Sequence, residues 1–241
     1  MHRRALVLAL AALVISGAAN AQSCPEPLAS ARRLVFVTAD NMTTSSARLT
    51  YYERGGDQQW REIKASEPAL IGRNGMGWAQ GFRTLARPTE PIKTEGDKRV
   101  PAGVFRIGRS FGFAASSRPG HLQLQADTVC VDDPASSAYN TVTSRAKVGQ
   151  VHAENMRRVP AYRHGLMVDY PTDRVARAGS CIFIHLWLPQ AKGTAGCVAL
   201  PEQRLAALQD FAEEGATLVV LPRAALDRLP GCLPQARREA N

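Results

Sequence analysis

The sequence is poor in aromatic residues, contains only a few cysteines and has no internal repeat. Aromatic residues make up 6% of the chain, and no basic stripe is interleaved with them, although the formal net charge is +9 and the pI is about 9.8. Such a pattern does not favour a nucleic-acid-binding surface. No Cys-x-x-Cys pair occurs, which removes the commonest structural zinc motif. No apolar run approaches the roughly 20 residues that a transmembrane helix needs, so we expect no transmembrane segment and no nucleic acid partner.

The N-terminus carries the one apolar run that suggests a targeting role. Two arginines precede an uncharged run at residues 5–15, and an Ala-x-Ala cleavage site ends at Ala21. This arrangement is typical of a secretory signal peptide. We therefore predict a signal peptide at residues 1–21, a single domain at residues 22–241, and export to the periplasm or cell wall. A basic exported protein favours anionic surroundings such as a wall polymer.

The number of cysteines is odd, which in an exported chain implies at least one thiol outside intramolecular disulfides. If Cys197 is that thiol, the other four can pair in three ways, and an oxidising compartment favours their pairing. We favour Cys130 with Cys181, and Cys24 with Cys232, the latter joining the two ends of the chain.

The remaining pattern is mostly that of short β-strands separated by turn residues. Two stretches look helical, residues 144–157 and 203–214, and the second has Pro201 before it and Gly215 as its stop. We therefore predict a mainly β fold with a few helices. The predicted strands are residues 34–38, 47–52, 60–64, 104–108, 165–169, 181–186 and 216–221.

A histidine and a cysteine near the C-terminal end have the properties of a base and a thiol nucleophile. His185 lies on an apolar run, and Cys197 follows after eleven intervening residues, directly after a glycine. An imidazole can accept the thiol proton, and the glycine lets a substrate approach the backbone closely. On a strand, Phe183 and His185 would share one face, with Ile184 on the other. The pair predicts cysteine-dependent acyl transfer.

Two motifs in the same order resemble the L,D-transpeptidases of the YkuD type. Residues 96–105 are similar to the family signature Gly-Asp-x-x-Thr-Pro-x-Gly-x-Phe, and His185 with Thr194-x-Gly-Cys197 matches the active-site motif. The likeness extends over nearly all of residues 22–241 and is greatest for a divergent subgroup without accessory domains. It implies a β-sandwich of mixed sheets with a few short helices.

The resemblance also implies a chemistry. Cys197 would attack a peptidoglycan stem peptide at its L,D bond, forming a thioester that an amine acceptor then resolves. His185 would serve as base, oriented by the backbone carbonyl of Leu186, and the amide of Gly196 would donate to the oxyanion, with the neighbouring amides assisting. No metal or organic cofactor is required, and carbapenems are expected to acylate a working nucleophile.

Substrate contacts are harder to assign, because this sequence departs from the usual members. They have His before Gly-Cys and Arg or Asn two residues after the cysteine, whereas Ala195 and Ala199 stand here. Five arginines are candidates to replace these groups: Arg83, Arg145, Arg157, Arg158 and Arg163. We predict that the following residues bind substrate: Thr194, Ala195, Trp187, Tyr139, Asn140 and His164.

Four other interpretations remain open. Water in place of the amine acceptor would give an L,D-carboxypeptidase, and loss of the usual flanking groups would suit a non-catalytic wall-binding domain. A zinc site would combine Cys181, His185 and Cys197, with His164 as a further ligand. Paired carboxylates would suit a glycosidase, although turn chemistry explains the same acidic residues better. Those carboxylates are Glu95, Asp97, Asp132 and Asp133.

Overall fold

The computed structural model describes residues 24–213 and 215–234. The predicted signal peptide therefore lies outside the described residues. The strands are β1 Arg33–Ala39, β2 Ser46–Arg54, β3 Trp60–Leu70, β4 Met76–Trp78, β5 Val100–Gly112, β6 Leu122–Gln123, β7 Thr128–Val131, β8 Val142–Ser144, β9 Ala153–Asn155, β10 His164–Asp169, β11 Phe183–Leu186, β12 Val198–Leu200 and β13 Ala216–Pro222. The α-helices are α1 Arg145–Val148 and α2 Glu202–Ala212, and 3₁₀ turns lie at Gln80–Leu85, Met156–Arg158, Pro160–Arg163 and Arg223–Arg228.

The largest sheet closes on itself. Its strands follow the order β10, β11, β12, β3, β2, β1, β13 and β5, and β5 then pairs with β10 again. The long strand β5 makes this closure possible, because residues 103–107 pair with β13 while residues 106–112 pair with β10. The mainly β prediction is confirmed. The expected sandwich is replaced by a closed ring, since closure pairs the edges that two stacked sheets would leave open.

A second, three-stranded sheet is formed by β8, β7 and β9. Its strands come between β6 and β10 in the sequence, and its central strand β7 carries Cys130. The disulfide from Cys130 to Cys181 ties this sheet to the segment that leads into β11. A second disulfide joins Cys24 to Cys232. Both predicted pairings are confirmed, and Cys197 is a free cysteine.

Two apolar clusters fill the interior. The larger cluster is mostly aliphatic and draws on the ring strands and on α2, where Leu205 and Leu208 are completely buried. The smaller cluster is richer in aromatic and sulfur-containing side chains: Phe111, Leu124, Cys130, Met156, Ala161, Tyr162, Phe183 and Cys197. Burial of this much apolar surface is the main stabilising contribution to such a fold.

The predicted helices have different outcomes. Helix α2 begins after Pro201 and accounts for the predicted helix at residues 203–214, apart from its last residues. The prediction for residues 144–157 is wrong, because only one helical turn forms there before the chain enters β9. Gly149, with φ 64°, ends the turn. Among the described residues, no helix is long and apolar enough to cross a membrane.

Candidate active site

The predicted base and nucleophile lie on neighbouring parallel strands. His185 is on β11, and Cys197 immediately precedes β12. The register pairs His185 with Ala199 and Ile184 with Val198, so the two functional side chains arise at the same part of the ring. Apolar residues at these strand positions hold the backbones in place, because they are buried in the ring interior.

Side chains on β11 alternate between two faces, as predicted. One face packs in the larger apolar cluster, and the other carries His185. Ile184 belongs to the larger cluster, as does Ile182 just before the strand. Phe183 packs in the smaller cluster with Cys197. The ring of Tyr162 makes edge contacts with both Phe183 and His185, at centroid distances of 5.5 and 5.4 Å. The imidazole therefore lies on the face that also carries the thiol.

The loop before β12 is held by the hydroxyl of Thr194. Thr194 Oγ1 donates a hydrogen bond to the carbonyl of Cys197 at 2.7 Å and accepts one from the amide of Gly196 at 3.1 Å. Gly196 has φ 149°, a conformation that other residues rarely adopt. Thr194 is thus a structural residue of the nucleophile loop, and the amide of Gly196 is already engaged. Both groups have partners within the loop, which argues against two expected roles, a substrate contact for Thr194 and an oxyanion donor at Gly196.

The thiol of Cys197 is buried and neutral in this environment. Its residue is 5% exposed, its Sγ accepts a hydrogen bond from the amide of Phe183 at 3.3 Å, and it donates to the carbonyl of Cys181 at 3.5 Å. Burial raises the pKa of Cys197 to about 12, although the Phe183 amide lowers it. Loss of hydration penalises the thiolate more than one amide dipole can offset.

His185 is arranged as a neutral base. Its Nδ1 lies 2.9 Å from the carbonyl oxygen of Leu186, which can only accept, so Nδ1 carries the proton and Nε2 keeps a free lone pair. Burial lowers the pKa of His185, and the Leu186 carbonyl opposes that shift. The resemblance predicts this Leu186 contact. The imidazole and the thiol are therefore both neutral at rest.

A cavity of about 230 Å³ opens next to Cys197. Its lining contains Ala195 and Gly196 from the nucleophile loop and many charged groups. The ionisable lining residues are Lys93, Lys98, Glu95, Asp132, Glu154 and Tyr162. Of these, Lys93, Lys98, Glu154 and Tyr162 were missed by the sequence analysis. They lie far from the active-site motif in sequence, and nothing in their local pattern signals convergence on the cysteine.

Glu154 and Tyr162 form a hydrogen-bonded pair beside the thiol. The hydroxyl of Tyr162 donates to Glu154 Oε2 at 2.7 Å. Burial raises the pKa of Glu154, with Asp132 adding to the shift and the Tyr162 bond opposing it. Asp132 is in turn 2.5 Å from His152 Nδ1. The second sheet therefore contributes two carboxylates to the cavity, through Glu154 on β9 and Asp132 just after β7.

Tyr139 and Asn140 form hydrogen bonds with residues that line the cavity. The hydroxyl of Tyr139 donates to Glu95, which also accepts a hydrogen bond from Ser180 Oγ at 2.7 Å. Asn140 accepts from the amide of Cys181 at 2.9 Å and donates to the carbonyl of Tyr170 at 3.0 Å. Cys181 has φ 55°, and the Asn140 contact holds this unusual conformation. Both predicted substrate contacts are thus positioned as supports.

Of the other predicted contacts, His164 and Trp187 are absent from the cavity lining. His164 is exposed, with Nε2 3.7 Å from Glu202 at the start of α2. Trp187 follows β11 and does not line the cavity, whereas Ala195 does. The five candidate arginines are also absent from the lining. Arg145 bonds three backbone carbonyls, Arg157 stacks on Phe113, and Arg163 pairs with Glu202.

The alternative chemistries are weakened by specific contacts. Cys181 is disulfide-bonded to Cys130, so its sulfur is not available for the zinc set considered above. Asp97 and Asp133 cap local turns through the amides of Thr94, Arg99 and Ala135, as the turn interpretation predicts. Glu95 and Asp132 do line the cavity, but each already has a hydrogen-bond partner.

A larger cavity of about 460 Å³ lies beyond the Cys130–Cys181 disulfide. It shares Cys181 and Ile182 with the smaller cavity, and its charged lining residues are Arg109 and Asp169. The disulfide therefore lies between two cavities, and of these only the smaller is lined by Cys197.

Comparison with known families agrees with the geometry. The chain matches the model of the L,D-transpeptidase catalytic domain, YkuD, over residues 35–221. The protein belongs to this family. Searches of curated proteins and of solved structures found no match. Membership places the chain among the peptidoglycan-modifying enzymes of the L,D-transpeptidase family, and the matched region includes both β11 and β12.

Proposed function

We propose that this family member is a cysteine-dependent L,D-transpeptidase acting on peptidoglycan stem peptides. The observation that carries the proposal is the convergence of His185, oriented by Leu186, and the free thiol of Cys197 on one face of two parallel strands. A free cysteine in a chain whose other four cysteines are paired is the expected state of a nucleophile.

The first half of the reaction begins from the neutral pair. Nε2 of His185 takes the proton from Cys197 as Sγ attacks the carbonyl carbon of the L,D amide. The developing oxyanion is stabilised by the amide of Cys197 with that of Ala195, because the Gly196 amide donates within the loop. The imidazolium then gives its proton to the departing amine, which leaves a thioester on Cys197.

The second half reverses these roles. The acceptor amine attacks the thioester carbonyl, His185 takes the amine proton, and the Cys197 thiolate leaves as the new amide forms. The proton on His185 returns to the sulfur. Water in place of the amine would give the L,D-carboxypeptidase reaction by the same steps.

The substrate class is supported by the mixed charge of the cavity. Its lining combines lysines with carboxylates, which suits a peptide that carries both amino and carboxylate groups. The N-terminal sequence features support export, so we place the reaction in the periplasm or cell wall.

Purified protein incubated with stem tetrapeptides tests the proposal. We expect loss of the terminal D-residue and a new cross-link to an added amine, with neither product formed by Cys197→Ala. Release of the residue without the cross-link would establish the carboxypeptidase instead. Absence of both products, and of a carbapenem adduct on folded protein, would favour the non-catalytic wall-binding domain.

A further inference from the structure

Lys93 is a buried cation in the cavity that contains the nucleophile. The residue is 3% exposed, and its Nζ donates to Asp97 Oδ1 at 2.6 Å and to the carbonyl of Thr94 at 2.7 Å. A lysine is rarely buried unless a partner compensates its charge. The same side chain lines the cavity next to Cys197.

The aspartate of the Gly-Asp motif holds this lysine in place. Asp97 also accepts hydrogen bonds from the amides of Thr94 and Arg99, at 2.8 and 2.9 Å. Together with the bond from Lys93, three hydrogen bonds therefore orient its carboxylate. Lys93 belongs to the cavity lining whereas Asp97 does not.

The backbone at Gly179 leaves room for the side chain of Lys93. Gly179 has φ 95°, and a Cβ atom there would lie 2.7 Å from Lys93 Cε and 2.8 Å from Nζ. Any larger residue would displace the ammonium group. The segment that leads to β11 is thus shaped around Lys93.

The charges around Cys197 otherwise oppose its ionisation. Among the effects on the pKa of Cys197, burial and Glu154 raise it, while the Phe183 amide and Lys93 lower it. Lys93 and Cys197 are both buried, so solvent screens the charge of Lys93 less than it would at the surface. The other ionisable groups that line the cavity are Lys98, Glu95, Asp132 and Tyr162, and His185 contacts the ring of Tyr162.

We propose that Lys93 supplies positive charge that stabilises the thiolate of Cys197 and the oxyanion that forms on the substrate carbonyl oxygen when the thiolate attacks. Lys93 reaches the cavity from the strand-free segment before the Gly-Asp motif, and Asp97 orients it. The catalytic consequence rests on the proposed function, whereas the effect on thiol ionisation does not.

Alkylation of Cys197 by iodoacetamide tests the effect without any peptide substrate. The rate follows the thiolate fraction, because sulfur displaces iodide only after losing its proton. We expect Lys93→Met to lower the rate about tenfold at every pH between about 7 and 9.5, equivalent to a shift of about one pKa unit. Lys93→Arg should recover most of the rate.

Lys98→Met is the matched control. It removes the same charge from an exposed position on the same cavity, where solvent screens it, so the rate should fall less than about twofold. If Lys93→Met does not fold, Lys93→Met with Asp97→Asn removes both charges, and we expect the same slowing.

Three results would overturn the proposal. The first is an unchanged alkylation rate in Lys93→Met, or in the double variant if Lys93→Met does not fold. The second is a fall in the alkylation rate of Lys93→Arg as large as that of Lys93→Met. The third is an equally large fall in Lys98→Met. Failure of the proposed function is seen separately, as absence of peptide products from the unmodified protein. A slower alkylation in Lys93→Met would then still stand.

Discussion

The two apolar clusters of this protein meet along β11 and differ in composition. The larger one is mostly aliphatic, with Ile184 completely buried. The smaller one combines aromatic rings with the sulfurs of Cys130 and Cys197 and lies against charged groups of the cavity. The larger cluster holds the strand in place, and the smaller one determines the protonation of the thiol and imidazole. Substitutions on alternate residues of β11 should therefore separate stability from activity.

The largest expected effect is on the side of the smaller cluster. His185→Gln removes the base and should lower the rate of thioester formation by about 10³-fold, within the range for general bases. Thermal stability should change little by comparison. Single-turnover kinetics with a stem tetrapeptide measures the rate, and retention of more than a tenth of it would contradict the assignment.

The pKa of His185 should also determine how the activity of the unmodified protein depends on pH. Burial lowers the pKa of His185 below its ordinary value of 6.5. Activity should be present while the imidazole is neutral and should disappear as the pH falls through that lowered pKa. An acid limb centred above 6.5 would show that His185 is not the titrating base.

The two disulfides provide the next contrast. By chain entropy, removing the Cys130–Cys181 disulfide should cost about 4 kcal/mol of stability, and removing the Cys24–Cys232 disulfide, which closes a longer loop, about 5 kcal/mol. Replacing Cys130 and Cys181 with serine should also lower activity per folded molecule, because the Cys181 carbonyl contacts Sγ of Cys197. Replacing Cys24 and Cys232 is the control, and its folded fraction should keep full activity. Equal activity in both double variants would mean that the tether to the second sheet is only structural.

A substitution in the larger cluster should have the opposite profile. Ile184→Ala leaves a cavity in the aliphatic interior and should cost about 3 kcal/mol of unfolding free energy. Activity per folded molecule should stay within about twofold, with Ile184→Val as the milder control. Urea denaturation measures the stability, and a large loss of activity in folded Ile184→Ala would blur the distinction between the clusters.

The smallest effect concerns an ion pair remote from the thiol. Arg228 lowers the pKa of Glu90 to about 2, and the carboxylate also accepts from Trp78 Nε1 at 2.8 Å. This contribution is present above the ordinary pKa of 4.5 and is lost as the pH falls towards 2. Glu90→Gln should cost about 2 kcal/mol at neutral pH, and the difference from the unmodified protein should shrink in acid.

Local patterns in the sequence were sufficient for much of the fold. The alternation around His185 and the helix after Pro201 agree with the structure. Both favoured disulfides also agree, although the sequence left three pairings open. The helix predicted at residues 144–157 failed because residues 153–155 pair with β7, a long-range contact that local propensity does not encode. Closure of the ring through β5 and β10 is non-local in the same way.

Only the residues of the site that belong to one sequence motif could be predicted from the sequence. His185 and Cys197 lie within thirteen residues of sequence, and the resemblance predicted the Leu186 contact. Lys93 and Glu154 reach the cavity from separate segments, so nothing in the sequence linked them to the cysteine. The role of Asn140 depends on the φ of Cys181, which only the folded backbone reveals.

Intact-mass analysis of the protein mixed with a stem tetrapeptide, and quenched in acid before turnover, tests the central claim most directly. The account predicts a covalent adduct on Cys197 equal to the tetrapeptide minus its terminal D-residue, absent in Cys197→Ala and much slower to form in His185→Gln. Folded protein with both disulfides intact that forms product without this adduct, or carries it on another residue, would contradict it.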